Sequence, residues 1–254
     1  MNANQRRDEI VRFIFKNTSA TIMELTDTFK VSTITIHRDL DILEEQGYIQ
    51  KIRGGACVNS IGNFEKSYLY RSMQKVEEKK KIAAYASQFI KDGSTILLDN
   101  STTVYYLLAY FQNVKNLTVF TYFQDVIEEL TKPNYDCKLF CLGGEYSRAH
   151  NCFIGPIVDR QLSQIHVDTA FMCSAALDPS VGIMQHQIEE SNRKRLIIQA
   201  ADETTLLIDN SKLMKRALFS IAPLNSLTRM VTNKPVTQEV VSQIIGTGIE
   251  LHLV

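Results

Sequence analysis

The sequence predicts two folds in series: a small helical domain ending in a two-stranded wing over residues 1–58, and an α/β domain with a mostly parallel sheet over residues 77–254. Three observations carry this reading. Apolar residues recur at three- and four-residue spacing up to Leu43, as on amphipathic helices. The stretch Tyr48 to Cys57 is short, basic and broken by Gly54-Gly55, as in a strand–turn–strand wing. After Glu77, short apolar runs alternate with helical patterns, and alternation of that kind implies a parallel sheet covered on both faces.

In chain order, residues 4–17 place Ile10, Phe13 and Ile14 on one helical face and charges on the rest. Thr21-Ile22-Met23-Glu24 has the capping-box form and opens a short helix that buries Ile22, Leu25 and Phe29. Ser32 is the N-cap of a third helix whose Ile36, Leu40 and Leu43 form one stripe, closed by Gly47. Three short helices followed by a wing make a winged helix-turn-helix. The other faces of the third helix carry Ser32, Thr33, Thr35, His37 and Arg38. Hydroxyls, an imidazole and a guanidinium at the front of a helix suit hydrogen bonding to base edges and phosphates in a major groove.

The net charge is zero, so attraction to a polyanion has to be local. Residues 1–50 hold six basic and eight acidic groups, whereas residues 51–81 hold eight basic and three acidic ones. Arg6 in the first helix, Lys51 and Arg53 in the wing, and the basic stretch that follows are therefore the expected phosphate contacts. The five cysteines are scattered, and neither they nor the five histidines have metal-ligand spacing. No disulfide, metal or cofactor is expected. The apolar runs are far shorter than the roughly 20 residues of a membrane span, and no signal-peptide pattern opens the chain. A cytoplasmic protein without membrane contact is expected.

Residues 59–76 lack periodicity and read as a linker with a short ordered stretch. A helix over Glu77 to Ile90 turns Ile82, Ala86, Phe89 and Ile90 inward, and strands are expected at Thr95–Leu98, Leu117–Thr121, Lys138–Leu142, Asp168–Cys173, Thr204–Ile208, Met230–Thr232 and Ile249–Val254. Ligands of such sheets gather beyond the carboxyl ends of the strands. The first strand ends in Asp99-Asn100-Ser101-Thr102-Thr103 and runs into a helix over Val104 to Phe111, a candidate anion site; Ser101 or Thr102 as a plain helix cap is the simpler alternative. Gly143-Gly144 with Arg148, and Asp209 with Lys212 near Arg193, Lys194 and Arg195, are the further candidates. Each has an ordinary counterpart, a turn for the glycines and a solvated charge for the lysines.

The residues Arg6-Arg7-x-x-Ile10, Glu24-Leu25, Val31-Ser32-x-x-Thr35-Ile36-x-Arg38-Asp39-Leu40-x-x-Leu43-Glu44-x-x-Gly47 and Arg53-Gly54-Gly55-Ala56 resemble the amino-terminal signature of the DeoR family of bacterial transcriptional regulators. From Glu77 onward, Asp92-Gly93, Asp99, Thr102-Thr103, Gly143-Gly144, Gly155-Pro156, Asp168-x-x-Phe171, Lys194 and Asp209-x-Ser211-Lys212 are similar to its sugar-phosphate sensor domain. The resemblance implies a ribose-5-phosphate-isomerase-like fold that binds a phosphorylated sugar without turning it over. It implies a homo-oligomer that represses a carbohydrate operon and leaves its double-stranded DNA operator when the effector binds. An isomerase-like enzyme with a DNA-binding head is the alternative, with Asp99, Asp178, Asp209 or Lys194 supplying acid–base chemistry; an activator or an architectural regulator that ignores small molecules is a third. Departures from the family pattern are His37 for arginine, Ser101 for glycine, Tyr122 for asparagine, Cys173 and Ala176 for glycines and Met184 for threonine. His37 replaces a permanent charge with a titratable one, so a specificity shift and DNA binding that differs between pH 6 and pH 8 are expected. Tyr122, with the lost glycines, implies a narrower pocket whose effector differs from the family's common ones or whose sensing has partly decayed.

Overall fold

The computed structural model describes residues 2–45, 47–58 and 68–254 and divides into two compact units, Met1–Gln74 and Lys75–Val254. Residues 59–67 of the expected linker, and Gln46 ahead of the Gly47 cap, lie outside the described residues.

In the first unit, α1 (Ala3–Asn17), β1 (Ser19–Thr21), α2 (Ile22–Phe29), α3 (Thr33–Glu45), β2 (Ile49–Ile52), β3 (Gly55–Val58) and α4 (Tyr68–Met73) follow in order. The expected stripes converge: Ile10, Ile14, Leu25, Ile36 and Leu40 are fully buried in one cluster. Each such side chain contributes about 1.5–3 kcal/mol by leaving water. The capping box forms as the sequence implies. Thr21 Oγ1 accepts from the Glu24 amide at 3.2 Å, and the Thr21 amide donates to Glu24 Oε2 at 2.7 Å.

The wing differs from the expected hairpin. It is a three-stranded antiparallel sheet in the order β1-β3-β2, because Ser19–Thr21 pairs with Gly55–Cys57. Gly55 makes this pairing possible: a Cβ there would sit 2.1 Å from the Ala20 carbonyl oxygen. Gly55→Ala should therefore lower the stability of this unit by about 1–3 kcal/mol, read as an earlier loss of α1–α3 amide protection in hydrogen exchange. Sequence periodicity does not show α4, which packs Tyr70 edge-on against Phe15 with ring centroids 5.1 Å apart.

The second unit holds α5 (Val76–Ala86) and a 3₁₀ turn (Ser87–Phe89), then β4 (Thr95–Leu98), a 3₁₀ helix (Val104–Asn113), β5 (Leu117–Thr121), α6 (Gln124–Leu130) and β6 (Cys137–Cys141). Next come β7 (Glu145–Ser147), β8 (Cys152–Ile154), α7 (Pro156–Leu162), β9 (Val167–Met172), β10 (Ala176–Asp178), β11 (Gly182–Gln185) and α8 (Ile188–Gln199). The chain closes with β12 (Ala201–Leu207), β13 (Phe219–Ala222), β14 (Arg229–Thr232), α9 (Gln238–Ile245) and β15 (Glu250–Leu253).

All seven strands expected from apolar runs meet in one sheet, β15-β14-β12-β9-β4-β5-β6, and every neighbouring pair is parallel. Both faces are covered. Leu97 joins Ile197 of α8 and Val158 and Leu162 of α7 in one cluster, while Ile96 and Leu98, pointing the other way, are equally buried. Strand order reverses between β4 and β9. That is where doubly covered parallel sheets open a crevice at their carboxyl ends, and it is where Asp99 and Cys173 emerge. A small antiparallel sheet, β10-β11-β13, and the β7-β8 hairpin complete the unit.

Candidate functional site

Two sites arise from this architecture, one in each unit. In the first, α3 presents its expected face. The side chains of Thr33, His37 and Arg38 are exposed and make no hydrogen bond or ion pair with another described residue. Ser32 caps the helix by accepting from the Thr35 amide at 3.2 Å, and its hydroxyl meets that of Thr35 at 2.9 Å. Those two hydroxyls thus hold the start of the helix in shape. Periodicity did not single out Ile34, which is 81% exposed one residue further along. An apolar side chain on such a face matches the thymine methyl in a major groove.

Two of the expected phosphate contacts have partners inside the unit. Arg6 grips Asp39 of α3 through Nε at 2.6 Å and Nη2 at 3.3 Å. Asp39 is 1% exposed, so Arg6 serves as its counter-ion inside the unit. Lys51 donates to the Asp41 carboxylate of α3, which raises its pKa, and its backbone amide donates to Glu44 at 2.7 Å. Arg53 stands exposed at the turn with no such partner among the described residues. Of the expected cations, Arg38 and Arg53 therefore have no side-chain partner among the described residues.

In the second unit the residues after β4 are brought together with those after β5 and β9 and with α8. Asp99 is fully buried. It accepts from Lys194 Nζ at 2.5 Å, from the Tyr122 hydroxyl and from the Cys173 amide at 3.2 Å. Glu190 stands 3.6 Å from the same Lys194 nitrogen. Burial favours the neutral amine, but Asp99 and Glu190 outweigh it and raise the Lys194 pKa, so the ammonium persists. Burial, and then the Asp99 carboxylate, push the Tyr122 phenol well above its ordinary range. Tyr122 therefore remains a neutral donor in the space where bulk was expected.

The other candidates are engaged as well. The Ser101 hydroxyl accepts from the amides of Thr103 at 3.1 Å and Val104 at 3.3 Å, capping the helix start proposed as an anion site. Thr102 and Thr103 are buried beside it. Lys212 Nζ contacts Cys173 Sγ at 3.1 Å and the Ser174 carbonyl at 3.0 Å, with Asp209 at 4.0 Å. Gly144 does allow a close backbone approach, but to this chain's own β8: a Cβ would lie 2.6 Å from the Ile154 carbonyl oxygen. Gly143 precedes the β7-β8 hairpin, and exposed Arg148 lies in its turn.

Beside this cluster lies a cavity of about 400 Å³, lined by Asn100, Ser147, His150, Gln187, Glu190 and Arg193 among others, within the size range of small-molecule sites. Of its lining residues, Asn100 and Arg193 lie in stretches singled out from the sequence, and the others were not expected. Their spacing in sequence carries no signal, since the hairpin, α7 and α8 converge only in the folded unit. Among the described residues no three histidine, cysteine or acidic side chains could share a metal ion, and no helix is long and apolar enough to cross a membrane.

Residues 6–61 match the DeoR-like helix-turn-helix domain and residues 74–234 the DeoR C terminal sensor domain. The chain is 31% identical to the HTH-type transcriptional regulator IolR of Bacillus subtilis over 98% of each chain. It is 34% identical to the lactose phosphotransferase system repressor of Staphylococcus epidermidis, over 92% of this chain and 93% of that one. The ribose 5-phosphate isomerase of Methanocaldococcus jannaschii superimposes with a TM-score of 0.41 at 17% identity over 56% of each chain. With a helix-turn-helix unit followed by a parallel-sheet sensor domain, the chain belongs to the DeoR family of transcriptional regulators.

Proposed function

We propose that the protein is a cytoplasmic repressor that sits on an operator of a carbohydrate operon and leaves it when a phosphorylated sugar occupies the second unit. The observation that carries this reading is the exposed face of Thr33, His37 and Arg38 on α3, whose side chains have no polar partner among the described residues, in a chain whose other unit holds a cavity of about 400 Å³ beside the strand crossover. Its relatives include a lactose phosphotransferase system repressor. Thr33, His37 and Arg38 read bases, with Ser32 and Thr35 holding the helix; Lys51 and Arg53 approach phosphates. One head of this size buries too little surface for tight specific binding, so a homo-oligomer on repeated half-sites is part of the proposal. Effector and operator must weaken each other's affinity by the same factor.

The test uses DNA selected from a random pool by the full-length protein. Arg38→Ala should weaken that DNA roughly tenfold or more, the loss expected of a bidentate base contact, in a fluorescence anisotropy titration. Unchanged affinity would remove α3 from the interface. An isomerase would need a carboxylate free to take a substrate proton, whereas Lys194, Tyr122 and the Cys173 amide already engage Asp99. Aldose–ketose turnover abolished by Asp99→Asn would replace the present reading.

A further inference from the structure

We propose that Ile34 reads the 5-methyl group of a thymine in each operator half-site, within about two base pairs of the one that Arg38 contacts. This assignment rests on the operator-binding reading and deepens it by fixing part of the sequence that is bound.

Ile34 stands in the first turn of α3 and is 81% exposed. Its neighbours on the helix surface, three and four residues on, are His37 and Arg38, both exposed and without a side-chain partner among the described residues. The same line of the helix continues through Asp41 and Glu45, which are exposed as well. No apolar stripe therefore runs from Ile34 along which another protein helix could pack. A single apolar side chain bordered by cationic and titratable groups suits a groove instead, where base methyls lie between rows of phosphates.

The charge along α3 decides which part of it enters that groove. Asp41, Glu44 and Glu45 occupy the carboxyl-terminal half, and the Lys51 side chain and backbone amide hold Asp41 and Glu44 toward the wing. Phosphates repel those carboxylates, so the helix approaches by its first two turns, where Thr33, Ile34, His37 and Arg38 are exposed and the acid, Asp39, is buried against Arg6. Its positive end leads. Ile34 and Arg38 lie about 40° apart around the axis and about 6 Å apart along it, and base pairs stack roughly every 3.4 Å. The two side chains consequently reach neighbouring base pairs.

Their chemistry divides the reading between them. Arg38 carries the fork that matches guanine O6 and N7, whereas Ile34 has no hydrogen-bonding atom and registers only the methyl that separates thymine from the other bases. Its branched Cβ restricts χ1 in a helix, so burial against that methyl costs little rotamer freedom.

The test uses the full-length protein and the duplex it selects from a random pool, with each thymine of one half-site replaced in turn by deoxyuridine. That base keeps every hydrogen-bonding atom of thymine and lacks only the methyl. In fluorescence anisotropy titrations one position should lose affinity about fourfold, the factor that burying a single methyl gives. The loss should vanish in Ile34→Ala, whose affinity for the parent duplex should itself be lower by roughly three- to tenfold, and persist in Ile34→Val, which keeps a methyl at the contact. Deoxyuridine that costs nothing at every position, or costs Ile34→Ala as much as wild type, overturns the assignment and leaves the functional reading to Arg38→Ala. If Ile34→Ala weakens both duplexes alike and lowers the oligomeric state in sedimentation, the side chain packs on a second copy and the assignment falls. A protein that selects no duplex overturns the functional reading and this inference together.

Discussion

Replacing Lys194 with methionine should destabilise the second unit by about 3–5 kcal/mol, the usual cost of removing one partner from a buried ion pair. The side chains of Lys194 and Asp99 are 3% and 0% exposed, so neither charge can turn to water when the other is lost. The substitution leaves two carboxylates, Asp99 and Glu190, on either side of an apolar stem. For a unit of this size the loss corresponds to roughly 6–20 °C in the midpoint of its thermal transition. Asp99→Asn should cost less, about 1–3 kcal/mol, because Lys194 keeps Glu190 at 3.6 Å. The double variant should fall short of the sum of the two, as contacting residues in one network do. Differential scanning calorimetry of the full chain checks all three. A Lys194→Met transition at the wild-type temperature would mean that Lys194 serves chiefly as an effector ligand, and the loss would then appear only with effector present.

That pair also shows what the sequence could and could not disclose. The seven strands of the main sheet were legible because strands buried on both faces read as continuous apolar runs, as Thr95–Leu98 and Thr204–Leu207 do. The strand ends named the region of the site by the same rule. Short antiparallel strands such as Gly182–Gln185 and Glu145–Ser147 were not legible, because three or four residues are too few to carry a period. Pairing was the larger gap. Asp99 and Lys194 lie 95 residues apart, and only the crossing of α8 over the β4–β9 junction makes them partners. For the same reason Arg193 was read as one of three helix cations, although its neighbour Arg195 turns to the carbonyls of Ile221 and Ser220 while Arg193 faces the cavity. Helical spacing separates those faces but says nothing about what lies opposite them.

In the DNA-binding unit, Arg6→Met should unfold the head without touching the interface. Asp39 is 1% exposed, and Arg6 is the charge that balances it. Removing the arginine leaves a carboxylate in the core between α1 and α3, at a cost of about 3–5 kcal/mol. A unit of this length has a total stability on the order of 4–11 kcal/mol, so a large share is lost. Asp39→Asn should be milder, about 1–2 kcal/mol, because the arginine, whose side chain is 11% exposed, can turn toward water. Arg6→Met with Asp39→Leu should recover much of the loss, since an apolar pair of similar volume replaces a buried ion pair without penalty. Hydrogen exchange of α1–α3 reads stability, and anisotropy on selected DNA reads affinity. If Arg6 instead touched phosphate, Arg6→Met would keep full amide protection and lose affinity, and the leucine partner would rescue nothing. The two accounts therefore part on whether protection and DNA binding fall together, and the 2.6 Å Nε–Oδ2 contact argues that they do.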